Sequence, residues 1–295
     1  STLSPSSAAS DVYKRQVSTW SFSNIEVKNL INDEIKAKDI ARDPVKVGKD
    51  EQYSEVFWKL EKSKDTHLVV VEDDKPIGII SIKDFTRILT DRLRRKRLAH
   101  VFASGLMTTN LISVDGDVYL KDVARKMLEK GISSMLVRID DSYKIITKRD
   151  FLKNIDLIKE IKIKDIMTKE PITVPKGIKI TGAEMLLREK KISILPVVEA
   201  GSLIGYVDVR ILSKFLVELF LEPEHKHPEK LLRDLTLEEI MARPIYVTPE
   251  DSLHDIAKVL LKKGFKGTPI VTSENNPRVV GVVTETDVTK LIANV

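Results

Sequence analysis

Three hydroxyl side chains in this sequence each stand three residues ahead of an aspartate: Ser81 before Asp84, Thr147 before Asp150 and Thr284 before Asp287. A hydroxyl can donate to an anionic oxygen, and an ionised carboxylate accepts hydrogen bonds from paired donors. On a turn that opens a helix, such a pair lies beside backbone N–H groups that lack an intrahelical partner and favour an anion such as phosphate. The same residue types are also preferred helix N-caps, so binding and capping both stay open at each position. The two roles are compatible, because a capping aspartate can still present one oxygen to a ligand.

Each pair sits in a longer repeat of a glycine, two apolar residues, the hydroxyl and then the aspartate. The copies are Gly78-Ile79-Ile80-Ser81-Ile82-Lys83-Asp84, Lys144-Ile145-Ile146-Thr147-Lys148-Arg149-Asp150, a degraded Gly205-Tyr206-Val207-Asp208-Val209-Arg210-Ile211, and Gly281-Val282-Val283-Thr284-Glu285-Thr286-Asp287. Copies roughly 60–75 residues apart mark a tandem array of small units. Every unit has a lead-in: Asp39-Ile40-Ala41, Gly105-Leu106-Met107-Thr108, Asp165-Ile166-Met167-Thr168 and Glu239-Ile240-Met241. Short extended segments follow at Ile172-Thr173-Val174 and Ile245-Tyr246-Val247, each preceded by a proline that disfavours helix.

A helix is expected next. Leu253, Ile256, Ala257, Leu260 and Leu261 form an apolar stripe at helical spacing, repeated by Leu120, Val123, Ala124, Met127 and Leu128. Thr248, Pro249 and Asp251 predict that the last unit's helix starts at Thr248, while Gly131 and Gly264 stand where these helices should end. Strands are expected at Leu68 to Val71, Met135 to Val137, Ile194 to Val198 and Pro269 to Val271, with polar turns leading to the motif strands. A second helix should start at the motif aspartate itself. The fold class is therefore α/β (α+β), built from β-α-β-β-α units too small to bury all their faces alone. We place the units at 33–90, 104–158, 159–216 and 235–295, paired as modules 33–158 and 159–295.

The chain has 295 residues, 42% of them apolar, enough for about two domains of ordinary size. It has no cysteine, which removes disulfides, thiolate nucleophiles and Cys-based zinc sites. No apolar run approaches the ~18 residues of a membrane span and no signal peptide opens the sequence, so a cytoplasmic protein without membrane contact is expected. Abundant Lys, Glu and Ile beside only Gln16 and Gln52 hint at a thermophilic source. The net charge of +5 equals the charge of Arg92, Arg94, Arg95, Lys96 and Arg97, a local patch in an otherwise balanced chain. Residues 1–24 lack apolar periodicity and match no repeat. Asp11-Val12-Tyr13-Lys14-Arg15-Gln16 resembles a translated library adapter, so this tail is read as an artefact outside the fold.

Four copies in register, each with its lead-in and apolar helix, resemble CBS domains of prokaryotic or archaeal type, acting as a stand-alone protein. The resemblance covers about Ile35 to Ile292. It implies two tandem Bateman modules that bind AMP, ADP, ATP or S-adenosylmethionine as regulatory ligands, with no required cofactor. It also implies that Ser81, Asp84, Thr147, Asp150, Thr284 and Asp287 are ligand residues, the hydroxyl to a phosphate and the aspartate to ribose. Lys148 and Arg149 beside Asp150 would favour a polyphosphate, or else be solvated surface; Lys266 is a further candidate phosphate contact and Lys83 a weaker one. In the third unit Asp208 and Ile211 replace the hydroxyl and the aspartate, and that site is expected to hold no nucleotide.

No P-loop, G-x-G-x-x-G, H-E-x-x-H or G-x-S-x-G is present, and His67, His100 and His254 share no spacing, so no enzyme is expected. His225-Lys226-His227 reads as a surface loop rather than a metal site. The basic run Arg92 to Arg97 has no aromatic for base stacking and reads as a solvated face, with contact to nucleic acid the less favoured alternative. Other partners expected are a regulated protein, such as an enzyme whose subunit this chain would be, or a second copy of the chain.

Overall fold

The computed structural model describes residues 34–86, 100–221 and 227–294. The N-terminal tail, the basic run Arg92 to Arg97, and His225 with Lys226 lie outside them. Unit 1 contains α1 (Ala37–Ile40), β1 (Lys46–Gly48), α2 (Tyr53–Ser63), β2 (His67–Glu72) and β3 (Lys75–Ser81), then helical residues 82–86. Unit 2 contains α3 (Ala103–Leu106), β4 (Ser113–Asp115), α4 (Leu120–Lys130), β5 (Ser134–Ile139), β6 (Ser142–Thr147) and α5 (Lys148–Lys153). Unit 3 contains β7 (Thr168–Lys169), β8 (Val174–Pro175), α6 (Ile180–Glu189), β9 (Ile194–Glu199), β10 (Ser202–Asp208) and α7 (Val209–Leu221). A connector helix, α8 (Pro228–Asp234), leads to unit 4, which contains α9 (Leu253–Lys263), β11 (Gly267–Val271), β12 (Val279–Thr284) and α10 (Glu285–Ala293).

In units 1 and 2 the first strand runs parallel to the second, which pairs antiparallel with the third, and in unit 3 β8, β9 and β10 repeat this order. Unit 4 keeps only a parallel bridge, Val247 to Ile270, in place of its first strand. The expected extended segment at Ile245 to Val247 therefore shrinks to one bridging residue. Gly131 and Gly264 end α4 and α9 in the left-handed region, with φ of 65° and 77°, as their missing side chains allow.

Two helix starts differ from expectation. The helix of unit 4 begins at Leu253 with Ser252 as its cap, not at Thr248. Thr248 and Asp251 instead close a separate turn, the carboxylate accepting from the Thr248 backbone N–H at 2.6 Å. The helices after the motif begin directly behind the hydroxyl residue, which puts the aspartate in the third helical position. From there its carboxylate reaches back to the cap residue's N–H, which it could not do from the cap itself.

Neighbouring units exchange their lead-ins. Arg42 of unit 1 bridges Ile145 in unit 2, and Thr108 of unit 2 bridges Ile79 in unit 1. Likewise β7 of unit 3 pairs with β12 of unit 4, and Ala242 of unit 4 bridges Tyr206 of unit 3. This exchange accounts for the repeat's glycine. A Cβ at Gly78 would stand 2.5 Å from Met107 Sδ, at Gly205 2.8 Å from Met241 Sδ, and at Gly281 2.9 Å from Met167 Sδ. Each glycine makes room for the lead-in methionine of the partner unit. Unit 2 has Lys144 instead, and the lead-in laid across it carries Ala41 where the others carry methionine.

Within each module the sheets also meet through small apolar clusters: Val69, Leu136 and Ile145 between units 1 and 2, and Ile194, Tyr206 and Val282 between units 3 and 4. The helices join the modules. Leu120, Val123, Ala124 and Met127 of α4 share a core with Leu253, Leu260, Val288 and Leu291 of unit 4. Val56, Phe57, Leu60 and Phe85 of unit 1 share another with Leu187, Leu212 and Leu216 of unit 3. The units thus form a closed ring in the order 1, 2, 4, 3. No helix among the described residues is long and apolar enough to cross a membrane.

Gly78→Ala is expected to destabilise the chain by about 1–3 kcal/mol through overpacking. Combined with Met107→Ala in a denaturant-unfolding cycle, it should show a coupling of about 0.5–3 kcal/mol. Additive effects would show that the methionine is not what the glycine accommodates.

Candidate functional site

The hydroxyl–aspartate pairs of units 1, 2 and 4 all form the same local contact. Ser81 donates from its backbone N and its Oγ to Asp84 Oδ2, both at 2.7 Å. Thr147 does so to Asp150 Oδ2 at 2.8 Å for both bonds, and Thr284 to Asp287 Oδ2 at 2.9 and 2.8 Å. Each hydroxyl proton is therefore spent on its own aspartate. In unit 3, Asp208 caps the helix, accepting from the Arg210 and Ile211 N–H groups at 2.9 Å each and from the Lys266 N–H of unit 4 at 3.0 Å. Burial pushes this carboxyl's pKa up, while the Ile211 and Lys266 amides pull it back.

Surroundings separate the pairs. At Asp150 and Asp287 the lead-in residue delivered by the partner unit faces the carboxylate's remaining oxygen. At Asp150 it is Arg42, whose Nε donates at 2.6 Å to Oδ1, which Lys153 also reaches at 3.1 Å. Arg42 also pairs with Asp65 of unit 1 at 2.7 Å. At Asp287 it is Thr168, whose hydroxyl donates at 2.8 Å, with Lys290 at 3.2 Å. Where unit 3 has Ile211 in place of the aspartate, the lead-in brings Ala242, an apolar residue against an apolar one.

A cavity of about 700 Å3 lies where the four units meet. Ser81, Lys83 and Asp84 line it from unit 1, together with His67 and Ile79. Unit 2 contributes Thr108, Asn110, Leu111, Ile132, Ser133 and Lys148; unit 4 contributes Lys266, Thr284, Glu285, Thr286 and Lys290. Unit 3 adds Glu184, Arg188 and Lys191. Of the residues the sequence pointed to, Ser81, Asp84, Lys148, Lys266 and Thr284 are brought together here, along with Lys83. Thr147, Arg149, Asp150 and Asp287 are buried and do not line it.

Arg149 is neither a phosphate contact of this cavity nor solvated surface. It spans the module joint, pairing with Glu285 at 3.1 Å and donating to the Leu261 and Phe265 carbonyls at 3.3 and 3.2 Å. Arg210 of unit 3 makes the corresponding grip on unit 1, pairing with Glu61 at 2.6 Å and donating to the Asp65 carbonyl. Both arginines hold helix C-terminal ends, where unpaired carbonyls favour a cation.

The lysines differ in partnership. Lys266 pairs with Glu285 at 2.9 Å. Lys83 and Lys148 pair with no carboxylate among the described residues; Lys148 Nζ donates only to the Thr286 hydroxyl, at 3.3 Å. Lys83 is exposed by area, but the cavity it faces is walled by residues of all four units, which limits the solvent that can surround its ammonium. Burial pushes the Lys83 pKa down to about 8, helped by the positive charge of Lys266. Burial likewise lowers Lys148 to about 8, with Lys83 and Lys266 adding repulsion.

His67, which the sequence reading set aside, stands beside Ser81 in the β2–β3 pairing. Its Nδ1 meets Thr66 Oγ1 at 2.8 Å and its Nε2 meets Ser133 Oγ of unit 2 at 2.9 Å. Burial, reinforced by Lys266, holds its pKa well below the ordinary value, so the ring is neutral. Only the position of Ser133 relative to the motif, one residue before a strand like Lys266, could have flagged it. No group of three or more metal-binding side chains occurs among the described residues.

The family model for the CBS domain matches residues 37–91, 103–157, 163–218 and 237–294. An uncharacterized 33.4 kDa protein encoded in a ribosomal RNA operon of Thermofilum pendens is 28% identical over 176 residues, 57% of each chain. The chain thus spans little more than half the length of that relative, and 43% of an uncharacterized protein of Methanocaldococcus jannaschii, MJ0188, at 31% identity. MJ1225 of the same archaeon is 24% identical over 75% of this chain and 84% of its own. Its crystal structure superimposes with a TM-score of 0.73 at 22% identity, covering 87% of this chain and 99% of that one.

Arg42→Met would leave the buried carboxylates of Asp65 and Asp150 facing each other, with Lys153 the remaining cation at Asp150. The expected loss of stability approaches the about 3–5 kcal/mol of a broken buried pair. A loss within the ~1 kcal/mol of a surface pair, by denaturant unfolding, would show that the arginine holds nothing together.

Proposed function

From the premise that this chain belongs to the CBS domain family, we propose that the central cavity is the receptor site for an adenine nucleotide and that the protein is a regulatory sensor rather than an enzyme. The observation that carries this reading is the convergence of Lys83 and Lys148, both without a carboxylate partner, beside Ser81 and Asp84. Two lysines that line one cavity, with the charge of Lys83 repelling that of Lys148, complement an anion and disfavour the cationic sulfonium of S-adenosylmethionine. Ile79, Leu111 and Ile132 offer an apolar wall for a base, and Asp84 stands where a ribose diol could bind. His67 and Ser133 form no catalytic triad, because the ring's other nitrogen meets a threonine hydroxyl and no carboxylate.

Binding would act by differential affinity: a nucleotide touching several units stabilises the ring arrangement that best fits it, and thereby alters the surface offered to a protein partner or a second copy. AMP, ADP or ATP at about a hundred times its dissociation constant should stabilise the fold by ~2.7 kcal/mol. No thermal shift with any of the three at millimolar concentration would sink the reading. Asp84→Asn is expected to weaken binding roughly ten- to a hundredfold, the value of one hydrogen bond to a charged group.

The lysines set a pH dependence. Both are charged below about pH 8 and lose charge above it, so affinity for an anion should fall as pH rises through that value. The bound anion raises both pKa values, so binding near pH 8 takes up protons. Calorimetry in buffers of different ionisation enthalpy reads that uptake directly; a flat profile between pH 7 and 9 would contradict it.

A further inference from the structure

The charged groups around the cavity divide into satisfied and unsatisfied ones, and Glu285 decides where the division falls. It is 4% exposed, lines the cavity, and holds two cations at once: Arg149 of unit 2 through Oε1 at 3.1 Å and Lys266 through Oε2 at 2.9 Å. Lys290 pairs with Asp287 at 3.2 Å and Arg188 with Glu184 at 3.2 Å. Lys191 is exposed at the rim of unit 3, where solvent and salt screen it. Lys83 and Lys148 are left without a hydrogen-bonded carboxylate among the described residues, and Lys83, Lys148, Lys266 and Arg149 set against Asp84 and Glu285 leave two positive charges unbalanced around the cavity.

Resting on the nucleotide reading above, we infer that Glu285 is the specificity-determining residue of the cavity: by neutralising Lys266 it matches the site to the dianion of a nucleoside monophosphate and disfavours longer phosphate chains. A phosphomonoester carries about −1.5 to −2 charge near neutral pH, which two lysines balance. Every additional phosphate brings negative charge that Lys83 and Lys148 cannot offset and that Glu285 repels at short range. Arg149 cannot make up the difference, because the same carboxylate and two carbonyls already hold it at the module joint.

The test is the ratio of dissociation constants for ATP and AMP, both without divalent metal, measured by calorimetry on the full chain. The wild type should bind AMP more tightly than ADP, and ADP more tightly than ATP. Glu285→Gln frees the charge of Lys266 and should lower the ATP-to-AMP ratio by about tenfold, the scale of one hydrogen bond to a charged group. Adding Lys266→Met to that variant should return the ratio to its wild-type value, which a general loosening of the joint would not do. An unchanged ratio in a folded Glu285→Gln overturns the inference and leaves the cavity a nucleotide site. Wild-type preference for ATP overturns it without any variant. If the wild type binds none of the three, the nucleotide reading fails and the inference falls with it.

Discussion

The structure depends on the exchange of lead-ins between neighbouring units. Each lead-in pairs with its partner's motif strand rather than with its own unit's sheet, and satisfies backbone groups there. Close approach of two backbones is the condition, and glycine opposite methionine meets it in three of the four cases. Lys144 opposite Ala41 meets it in the fourth by shrinking the other side. The degenerate-looking motif of unit 2 is thus one half of a matched pair. The exchange also sets which side chain faces each motif carboxylate, so packing and electrostatics share one origin.

The charges then sort themselves by that geometry. Arg42, Arg149 and Arg210 each tie one unit to another through buried or half-buried carboxylates and helix-end carbonyls. Such links gain little over apolar packing but make misalignment costly, since any displacement would strand a charge away from water. Against this neutralised background, two lysines without carboxylate partners stand out as the place where an anion from outside would complete the balance.

Local features were legible in the sequence because they depend on neighbours within one helical turn. The stripe through Leu253, Ile256, Ala257 and Leu260 is buried as its spacing requires, and Gly131 and Gly264 cap their helices. The start of the helix at Leu253 was misread because Thr248 and Asp251 have the chemistry of a cap, while the backbone between them forms a turn that the helix does not continue. Arg149 was misread for a different reason. A cation beside a motif aspartate looks available until residues 112 to 136 positions away in the chain are seen to hold it.

What the sequence determined by itself was the repeat: four units, their order of elements, and three hydroxyl–aspartate pairs, since periodicity and capping are short-range properties. Tertiary structure decided which of those pairs meets open space. Ser81 and Asp84 line the cavity, Thr284 lines it without Asp287, and Thr147 with Asp150 is closed by Arg42. That outcome turns on the lead-in a partner unit delivers and on how the modules' helices pack, and neither leaves a periodic trace in the chain.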